Sequence, residues 1–434
     1  MRQKKWKYIS ILLGAVLCFF GVPGCGKSGT DAPVPTQNAE QSATPMPTQQ
    51  QPETELTSTP EVEPTLPPAP TSTPAPVETL TPEPVTFPVE INEITFPEAL
   101  LRKKALAADA DGDGCLSKEE AESVTKLSFK KLMDSRDDGE APWPDYTVED
   151  FSFDFEGIQY FTELTELKVN LLGGEVFVAG HSMEDDIPAT AKNFQRVYEC
   201  TKLQKLSLCE TDLVSLTLSE FPDLKRLELS CMYNLERLDW GENKKLSALW
   251  ISECHKLESL DVSGLEKLKT LDIVRNDSLK DIRFGEENQK LETIQLNGLP
   301  GMEVIDVTVL KKLKSLNLMD VGLAGLDVSK NAELEQLCAE GLHLDVLDVR
   351  NNPKLSYMIN DGDSFRSILL PEENRIDMIR WTNSGVTEFP VKNLNPETLT
   401  GIDIQGTAIK ELDVSMYPNL EYLYYDEDVT KIKR

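Results

Sequence analysis

The chain has 434 residues, 40% of them apolar, which is enough to bury a sizeable hydrophobic core. Its 74 acidic and 44 basic residues give a formal net charge of −30 at pH 7. A surface this acidic repels nucleic acid and anionic lipid headgroups, so nucleic-acid binding is excluded as an expected function. It suits Ca2+, cationic partners or neutral glycans better.

The amino terminus predicts an export signal. Four basic residues among the first seven precede an apolar run at residues 8–22, which is shorter than a typical membrane span. The run ends in Val22-Pro23-Gly24-Cys25, which resembles the lipobox of bacterial lipoproteins. The resemblance implies that residues 1–24 are a signal peptide, that Cys25 is lipidated, and that the protein is anchored at the extracellular face of the bacterial cell membrane. An uncleaved signal anchor and an ordinary secretory signal are the alternatives.

Residues 25–90 are predicted to be a disordered linker that begins at the lipidated cysteine. Pro, Thr, Ser, Gln and Glu dominate it, and aromatic residues are almost absent. Such a segment cannot bury enough apolar area to offset the entropy lost on ordering. Fully extended, roughly 60 residues at about 3.1 Å each would reach on the order of 190 Å. The composition therefore indicates a stalk.

Residues 91–130 are predicted to form a small helix–loop–helix module whose loop has EF-hand spacing. The sharp-turn glycine at loop position 6 is Gly114. In loop order, the predicted Ca2+ ligands are Asp109, Asp111, Asp113, the carbonyl of Cys115, Ser117 and Glu120. A single extracellular loop of this kind should bind Ca2+ weakly, with a Kd of about 10⁻⁴ to 10⁻³ M, and should stabilise its helices. An Asp-rich turn without metal is one alternative; a dockerin, which needs a second loop, is another.

From Leu203 onward, the unit L-x-x-L-x-L recurs at a nearly fixed step of about eleven positions. Each unit predicts a short strand, and the polar residues between units predict turns. Alternate units form two series, one containing Leu313 and Leu334 and the other containing Leu323 and Leu344. Each coil therefore spans two units and has two extended sides. The pattern predicts a mainly β, right-handed solenoid or horseshoe of about ten coils at residues 203–434.

The repeats resemble those of leucine-rich-repeat surface proteins of Gram-positive bacteria. Among these they are most similar to the internalin-like group, whose repeats are roughly 21 or 22 residues long. The resemblance covers residues 157–425, and residues 157–167 are similar to the lead-in to a first repeat of that group. The sequence departs from the pattern between Val169 and Tyr198, as either a loop on the rim or a poorly built first coil. We therefore predict that residues 131–202 form an amino-terminal cap with an irregular first repeat.

The two series make different predictions for a ligand-binding face. If the series containing Leu313 forms the concave sheet, the residues between its leucines face a ligand. The aromatic and basic candidates on that face are Trp250, Tyr357, Arg380, Tyr422 and Tyr424. The same face would also present Arg226, Glu228 and Asp272. The alternatives are that these are scattered surface residues, or that the opposite series is concave, in which case the set is void.

Three cysteines, Cys209, Cys231 and Cys254, recur about once per coil. Leucine-rich repeats often place a buried Asn or Cys at one position of each coil. We therefore predict that these residues form a column of buried thiols that cap turn amides. A disulfide between stacked coils is the alternative, since an exported protein permits one.

The sequence does not predict an enzyme. Its three histidines, His181, His255 and His343, fit neither an H-E-x-x-H nor a G-x-S-x-G arrangement. We predict a monomeric, non-catalytic surface protein, an adhesin or receptor that presents its repeats to a protein or glycan ligand. A passive spacer protein is the main alternative, and an enzyme of unknown class that uses the segment around His181 is a remote one.

Overall fold

The computed structural model describes most of the chain beyond the predicted linker. The described residues are 85–130, 152–171, 189–342, 344, 346–362, 367–389 and 393–433. The predicted signal peptide, Cys25 and residues 25–84 of the predicted linker lie outside them, as do His181 and His343. Among the described residues, no helix has the length and apolar character needed to cross a membrane.

The amino-terminal part of the described chain is a helix–loop–helix with a small sheet. In chain order, its elements are β1 (Val89–Glu90), α1 (Ala99–Ala108), β2 (Cys115–Leu116) and α2 (Lys118–Ser123). Helix α1 starts after Pro97 and is capped by Glu98, whose side chain accepts a hydrogen bond from the amide of Leu100. Strands β1 and β2 pair antiparallel across the loop. Leu101 of α1, Leu116 of β2 and Ala121 of α2 are fully buried and belong to one apolar core.

Among the described residues, thirteen strands form one continuous parallel sheet in chain order. They are β3 (Lys126–Lys130), β5 (Glu166–Asn170), β7 (Lys205–Cys209), β9 (Arg226–Ser230), β11 (Ala248–Ser252), β13 (Thr270–Val274), β15 (Thr293–Leu299), β16 (Ser315–Val321), β17 (Gln336–Glu340), β19 (Tyr357–Asp361), β21 (Met378–Thr382), β22 (Gly401–Asp403) and β24 (Tyr422–Tyr424). From β7 onward, every strand comes from the repeat series that contains Leu313. The continuous sheet is therefore built by one of the two predicted series.

The remaining strands after β3 are short and pair two by two, also in parallel. The pairs are β4 (Phe153–Asp154) with β6 (Ala191–Lys192), β8 (Ser215–Thr217) with β10 (Arg237–Asp239), β12 (Ser259–Asp261) with β14 (Asp281–Arg283), β18 (Val346–Asp348) with β20 (Ser367–Leu369), and β23 (Glu411–Asp413) with β25 (Lys431–Lys433). Four of these pairs come from the second repeat series. Both sides of the coil are thus extended, but the second side is interrupted.

Alternation along each sheet strand places aliphatic side chains inside the coil. On β13, Leu271 and Ile273 are fully buried, whereas Thr270 and Asp272, which alternate with them, are partly exposed. Leu271 pairs in register with Leu249 on one side and Ile294 on the other, so successive coils stack leucine on leucine or isoleucine. Since this pattern repeats from strand to strand, the chain winds into a mainly β solenoid of about ten coils with a continuous apolar interior.

The sheet begins earlier than the predicted start of the solenoid at residue 203. Leu127 and Phe129 of β3 are buried, and β3 pairs in register with β5, which pairs with β7. Strand β5 lies within the predicted irregular first repeat, whereas β3 lies within residues 91–130, which were predicted to belong to the helix–loop–helix module. The first strand of the sheet therefore follows directly after the helix–loop–helix.

At the carboxyl end of the sheet strands, one residue per coil adopts a left-handed backbone conformation. In the later coils this position holds residues that tolerate positive φ, namely Gly298, Asp320, Gly341, Gly362, Asn383 and Gly406. In four consecutive earlier coils it holds Glu210, Cys231, Glu253 and Arg275, with φ of 63°, 52°, 55° and 52°. A left-handed conformation costs such residues roughly 1–2 kcal/mol relative to the right-handed one. The choice of side chain at these four positions is therefore not explained by the turn itself.

Candidate functional site

The outward-facing side chains of the thirteen strands form a surface that we call the sheet face. Strand register aligns these side chains in rows that cross the coils. One row runs through Ser207, Glu228, Trp250, Asp272, Gln295, Asn317, Cys338, Ile359, Arg380, Asp403 and Tyr424. The row is polar for most of its length, in contrast to the aliphatic rows on the inside of the same strands.

Trp250 is held in a fixed setting on this face. The guanidinium of Arg226, on the neighbouring strand β9, lies 3.9 Å from the centroid of the Trp250 ring. The Nε of Arg226 donates a hydrogen bond to Glu228, the register neighbour of Trp250, and Lys205 Nζ lies 3.5 Å from the same carboxylate. A cation over an indole contributes about 0.5–1 kcal/mol at an exposed site. The ring is therefore oriented before any ligand arrives.

Asp272 is the register neighbour of Trp250 on the opposite side, on β13. Burial raises the pKa of its carboxyl from 3.8 to about 6, and a hydrogen bond from the Trp250 side chain partly opposes this rise. The Oδ1 atom of Asp272 is buried and, among the described residues, has no hydrogen-bond partner; the same holds for Oδ1 of Asn317 in the same row. Buried acceptors without a donor are costly, so a ligand that brought donors to this row would recover that free energy.

The pKa of Asp272 predicts a pH dependence of stability. Because the folded-state pKa of about 6 lies above the ordinary 3.8, the folded protein holds a proton that the unfolded chain releases between these values. The contribution of Asp272 to the free energy of unfolding should therefore fall as the pH rises from about 4 to about 6. Urea unfolding of the wild type and of Asp272→Asn across this range measures the difference. Parallel pH profiles for the two proteins would contradict the assignment.

The predicted ligand-face residues all lie on the sheet, but they form two separate groups. Tyr357 on β19 and Arg380 on β21 belong to adjacent strands, and Tyr422 and Tyr424 on β24 lie two strands further. Trp250 on β11 is five strand steps from Tyr357, which is about 24 Å at about 4.8 Å per step. One compact ligand therefore cannot contact all five residues.

The carboxyl-terminal group is organised by ion pairs. Arg380 NH2 lies 3.5 Å from Asp361 Oδ2, and its Nε lies 4.0 Å from Asp403 Oδ2. Burial raises the pKa of the neighbouring Tyr357 hydroxyl. Tyr422 and Tyr424 are exposed, at 50% and 39% of their accessible surface. This group offers aromatic area, but the guanidinium of Arg380 is already shared between two carboxylates.

A second site is the loop of the helix–loop–helix, residues 109–120, which we call the acidic loop. One carboxylate oxygen from each of Asp109, Asp111 and Glu120 lies within 4.8 Å of the others. Glu120 accepts hydrogen bonds from the amide of Ala110 at 2.7 Å and from the Ser117 hydroxyl at 2.7 Å. Hydrogen bonds from the Ser117 side chain and backbone are the main reason that the pKa of Glu120 falls to about 2. The residue is thus ionised at any physiological pH.

Three of the four predicted carboxylate ligands of the acidic loop, Asp109, Asp111 and Glu120, lie close enough together to share one Ca2+ ion. Two oxygens bound to one Ca2+ at about 2.3–2.6 Å cannot be more than about 5 Å apart, and the three carboxylates satisfy this limit. Gly114 has φ of 80°, and its amide donates to Asp109 Oδ2 at 3.0 Å, which folds the loop around the carboxylates. Asp113 Oδ1 accepts from the amide of Cys115 at 2.7 Å. Ser117 also caps helix α2, so the helix start and the loop share residues.

The prediction that three cysteines occupy one column is wrong. Register pairs Cys209 with Ser230 and Ser230 with Ser252, so Cys231 and Cys254 each lie one position further along the coil than the cysteine before. The reason is that the interval between successive cysteines exceeds the length of each of these coils by one position. Cys254 is fully buried, and burial raises the pKa of its thiol to about 12.

His255 is the one histidine among the described residues. Its ring stacks on Tyr233 with centroids 5.9 Å apart, and its Nδ1 lies 3.5 Å from Asp277 Oδ2. Both ring nitrogens are buried and have no hydrogen-bond partner among the described residues. The side chain is 24% exposed and packs against Tyr233 outside the leucine-lined interior.

The stacked parallel strands, the leucine-lined interior and the regular coil length define a leucine-rich-repeat solenoid. No protein-family model matches the chain, and no curated protein matches it. Among solved structures, the functional domain of InlJ from Listeria monocytogenes is 19% identical, covering 78% of this chain and 75% of that one, with a TM-score of 0.41. The internalin InlF from the same species is 16% identical, with coverage of 78% and 98% and a TM-score of 0.46. A leucine-rich-repeat protein of Leptospira interrogans is 14% identical, with coverage of 71% and 97% and a TM-score of 0.26.

Proposed function

We propose that this chain is a non-catalytic binding protein that recognises a protein or glycan ligand with the amino-terminal half of its sheet face, around Trp250. The proposal rests on the surroundings of the Trp250 ring. Arg226 orients it from one strand, and the buried, unpartnered oxygen of Asp272 lies beside it on the next. An oriented aromatic side chain beside unsatisfied acceptors is the arrangement that ligand-binding hot spots use.

The charge of the protein limits the chemical class of the ligand. At a net charge of −30, anionic ligands are repelled over the whole surface. The Oδ1 atoms of Asp272 and Asn317 can accept hydrogen bonds from a ligand. A neutral sugar or a peptide with Lys, Arg or amide groups supplies such donors. A sugar ring stacked on Trp250 or an aliphatic side chain packed against it would bury the exposed part of the indole. The carboxyl-terminal group of Tyr422 and Tyr424 would act as a separate contact for a long ligand.

Replacement of Trp250 by Ala tests the proposal. A phage-displayed random-peptide library and a printed array of neutral glycans serve as probes for the full-length wild type, Trp250→Ala and Trp240→Ala. Trp240 is a matched control because it is also partly buried but follows β10, on the other side of the coil. We expect the selected ligands to bind Trp250→Ala at least about tenfold more weakly, a loss of about 1.4 kcal/mol or more, and to bind Trp240→Ala normally.

Two outcomes would contradict the proposal. If neither library yields a ligand, the chain behaves as the passive spacer that the sequence also allows. If ligands are selected but bind all three proteins equally, recognition lies elsewhere on the molecule. In both cases, circular dichroism and the unfolding midpoint of each variant establish that the comparison is made between folded proteins.

We also propose that the chain is held at the cell surface by lipid on Cys25 and that the acidic loop binds Ca2+. The support for the anchor is the lipobox-like Val22-Pro23-Gly24-Cys25 at the end of the apolar run. The support for Ca2+ is the spacing of the carboxylates of Asp109, Asp111 and Glu120. In this arrangement the ion would stabilise the helix–loop–helix directly before the first sheet strand.

A further inference from the structure

Two thiols and two carboxylates meet at the carboxyl end of strands β7, β9 and β11. The Sγ atoms of Cys209 and Cys231 and a carboxylate oxygen of Glu210 all lie within 4.8 Å of one another. From the next coil, Glu253 Oε2 lies 3.7 Å from Cys231 Sγ. Cys209 and Glu210 are each only 7% exposed. Two consecutive coils thus bring three ligand-type atoms together, and the third coil adds a carboxylate next to Cys231.

The residues that form this cluster occupy positions where the fold favours other side chains. Glu210, Cys231 and Glu253 all hold the left-handed position that ends a sheet strand, and later coils use Gly, Asp or Asn there. Glycine at this position would remove the conformational cost. Formation of the turn does not require a thiol or a glutamate at this position. The side chains therefore point to a role beyond the turn.

We propose that Cys209, Glu210, Cys231 and Glu253 form a binding site for a thiophilic divalent cation of the zinc class. In a tetrahedral site with metal–sulfur bonds of about 2.3 Å and metal–oxygen bonds of about 2.0 Å, neighbouring ligand atoms are about 3.3–3.8 Å apart. The distance of 3.7 Å between Cys231 Sγ and Glu253 Oε2 falls in this range. The ligand atoms of Cys209, Glu210 and Cys231 lie within 4.8 Å of one another, at most about 1.5 Å more than such a separation.

The charges around the two thiols favour a divalent cation. The carboxylates of Glu210 and Glu253 lie beside the thiols and supply negative charge that such a cation would neutralise. On binding, the cation would displace the thiol protons and bind both thiolates and both carboxylates. Arg275, whose NH1 lies 3.4 Å from Glu253 Oε1, offsets part of the remaining negative charge.

Cobalt titration of the full-length, reduced chain tests the site, since Co2+ in a thiolate site gives a near-ultraviolet charge-transfer band. All proteins carry Cys115→Ser, so that the thiol in the acidic loop cannot contribute. We expect the band to appear, to be displaced by Zn2+, and to be absent from Cys209→Ser/Cys231→Ser. The control Cys200→Ser/Cys338→Ser removes a buried and a partly exposed thiol elsewhere and should leave the band unchanged.

A second variant keeps the test valid if the double serine variant does not fold. Glu210→Gln retains both thiols and should weaken Co2+ binding at least about tenfold, as loss of a metal-site partner typically does. Absence of the band from the parent protein, or an undiminished band in the double serine variant, would overturn the proposal. So would a Cys209–Cys231 disulfide found by mass spectrometry of the protein isolated without reductant. The acidic loop and the sheet face play no part in these outcomes.

Discussion

Replacement of Leu271 by Ala is expected to lower the free energy of unfolding by about 3 kcal/mol. Leu271 is fully buried on β13 and stacks between Leu249 and Ile294 of the neighbouring coils. Removing a buried leucine side chain costs its transfer free energy and leaves a cavity that the stacked coils can close only in part. Urea unfolding followed by circular dichroism measures the change.

The neighbouring Thr270 provides the control. Its side chain points to the outer face of the same strand and is partly exposed, so Thr270→Ala should change the free energy of unfolding by no more than about 1 kcal/mol. Because each coil contacts only its neighbours, the cavity should weaken the stacking on both sides of β13. Equal effects of the two substitutions would mean that Leu271 is not part of a continuous interior.

Ca2+ is expected to stabilise the wild type and to leave Glu120→Gln unaffected. Glu120 supplies the carboxylate that lies within 4.8 Å of those of Asp109 and Asp111, and the substitution removes its charge. At a Ca2+ concentration about 100 times Kd, binding to the folded state alone adds about 2.7 kcal/mol to the free energy of unfolding. The difference between unfolding midpoints with Ca2+ and with chelator measures this effect for each protein.

Glu122→Gln is the matched control for this experiment. Glu122 lies on the same helix, α2, and its carboxylate is 3.6 Å from Lys118, away from the acidic loop ligands. This variant should keep the full response to Ca2+. A wild type that shows the same midpoint with Ca2+ and with chelator would rule out a stabilising calcium site. An unchanged response in Glu120→Gln would place the bound ion elsewhere.

The solenoid was predictable because its signal is repeated. An aliphatic residue at every inward position of each coil produces the L-x-x-L-x-L spacing, and the structure places Leu249, Leu271 and Ile294 in register as that spacing requires. The alternate units do form two series, and the series containing Leu313 builds the continuous sheet. Strand β3 was missed, since a single strand carries no periodicity of its own.

The acidic loop was predictable for a different reason. Its ligands lie within a single short loop, so a local motif specifies which carboxylates converge. The sheet face is assembled from neighbouring coils, and its details depend on register. The position of Arg226 over the Trp250 ring and the buried oxygen of Asp272 arise between strands that lie a full coil apart in sequence.

The cysteines show how far spacing can mislead. Their nearly equal intervals suggest equivalent positions only if every coil has the length of that interval. Each of these coils is one position shorter than the interval, so each cysteine moves one position along the turn. As a result, Cys231 follows the end of its strand and does not align with Cys209. Its Sγ atom instead lies near both Cys209 and Glu210. The cysteine interval exceeds the leucine interval by one position, and this difference decides the composition of that cluster.

Hydroxyl-radical footprinting of the full-length protein with a ligand selected from the peptide or glycan libraries shows which side chains the ligand covers. Mass spectrometry then gives the oxidation of Trp250 and Trp240 separately, with and without the ligand. Recognition by the sheet face predicts that saturating ligand protects Trp250 and leaves the oxidation of Trp240 unchanged. Protection of Trp240 with Trp250 still fully oxidised would contradict it.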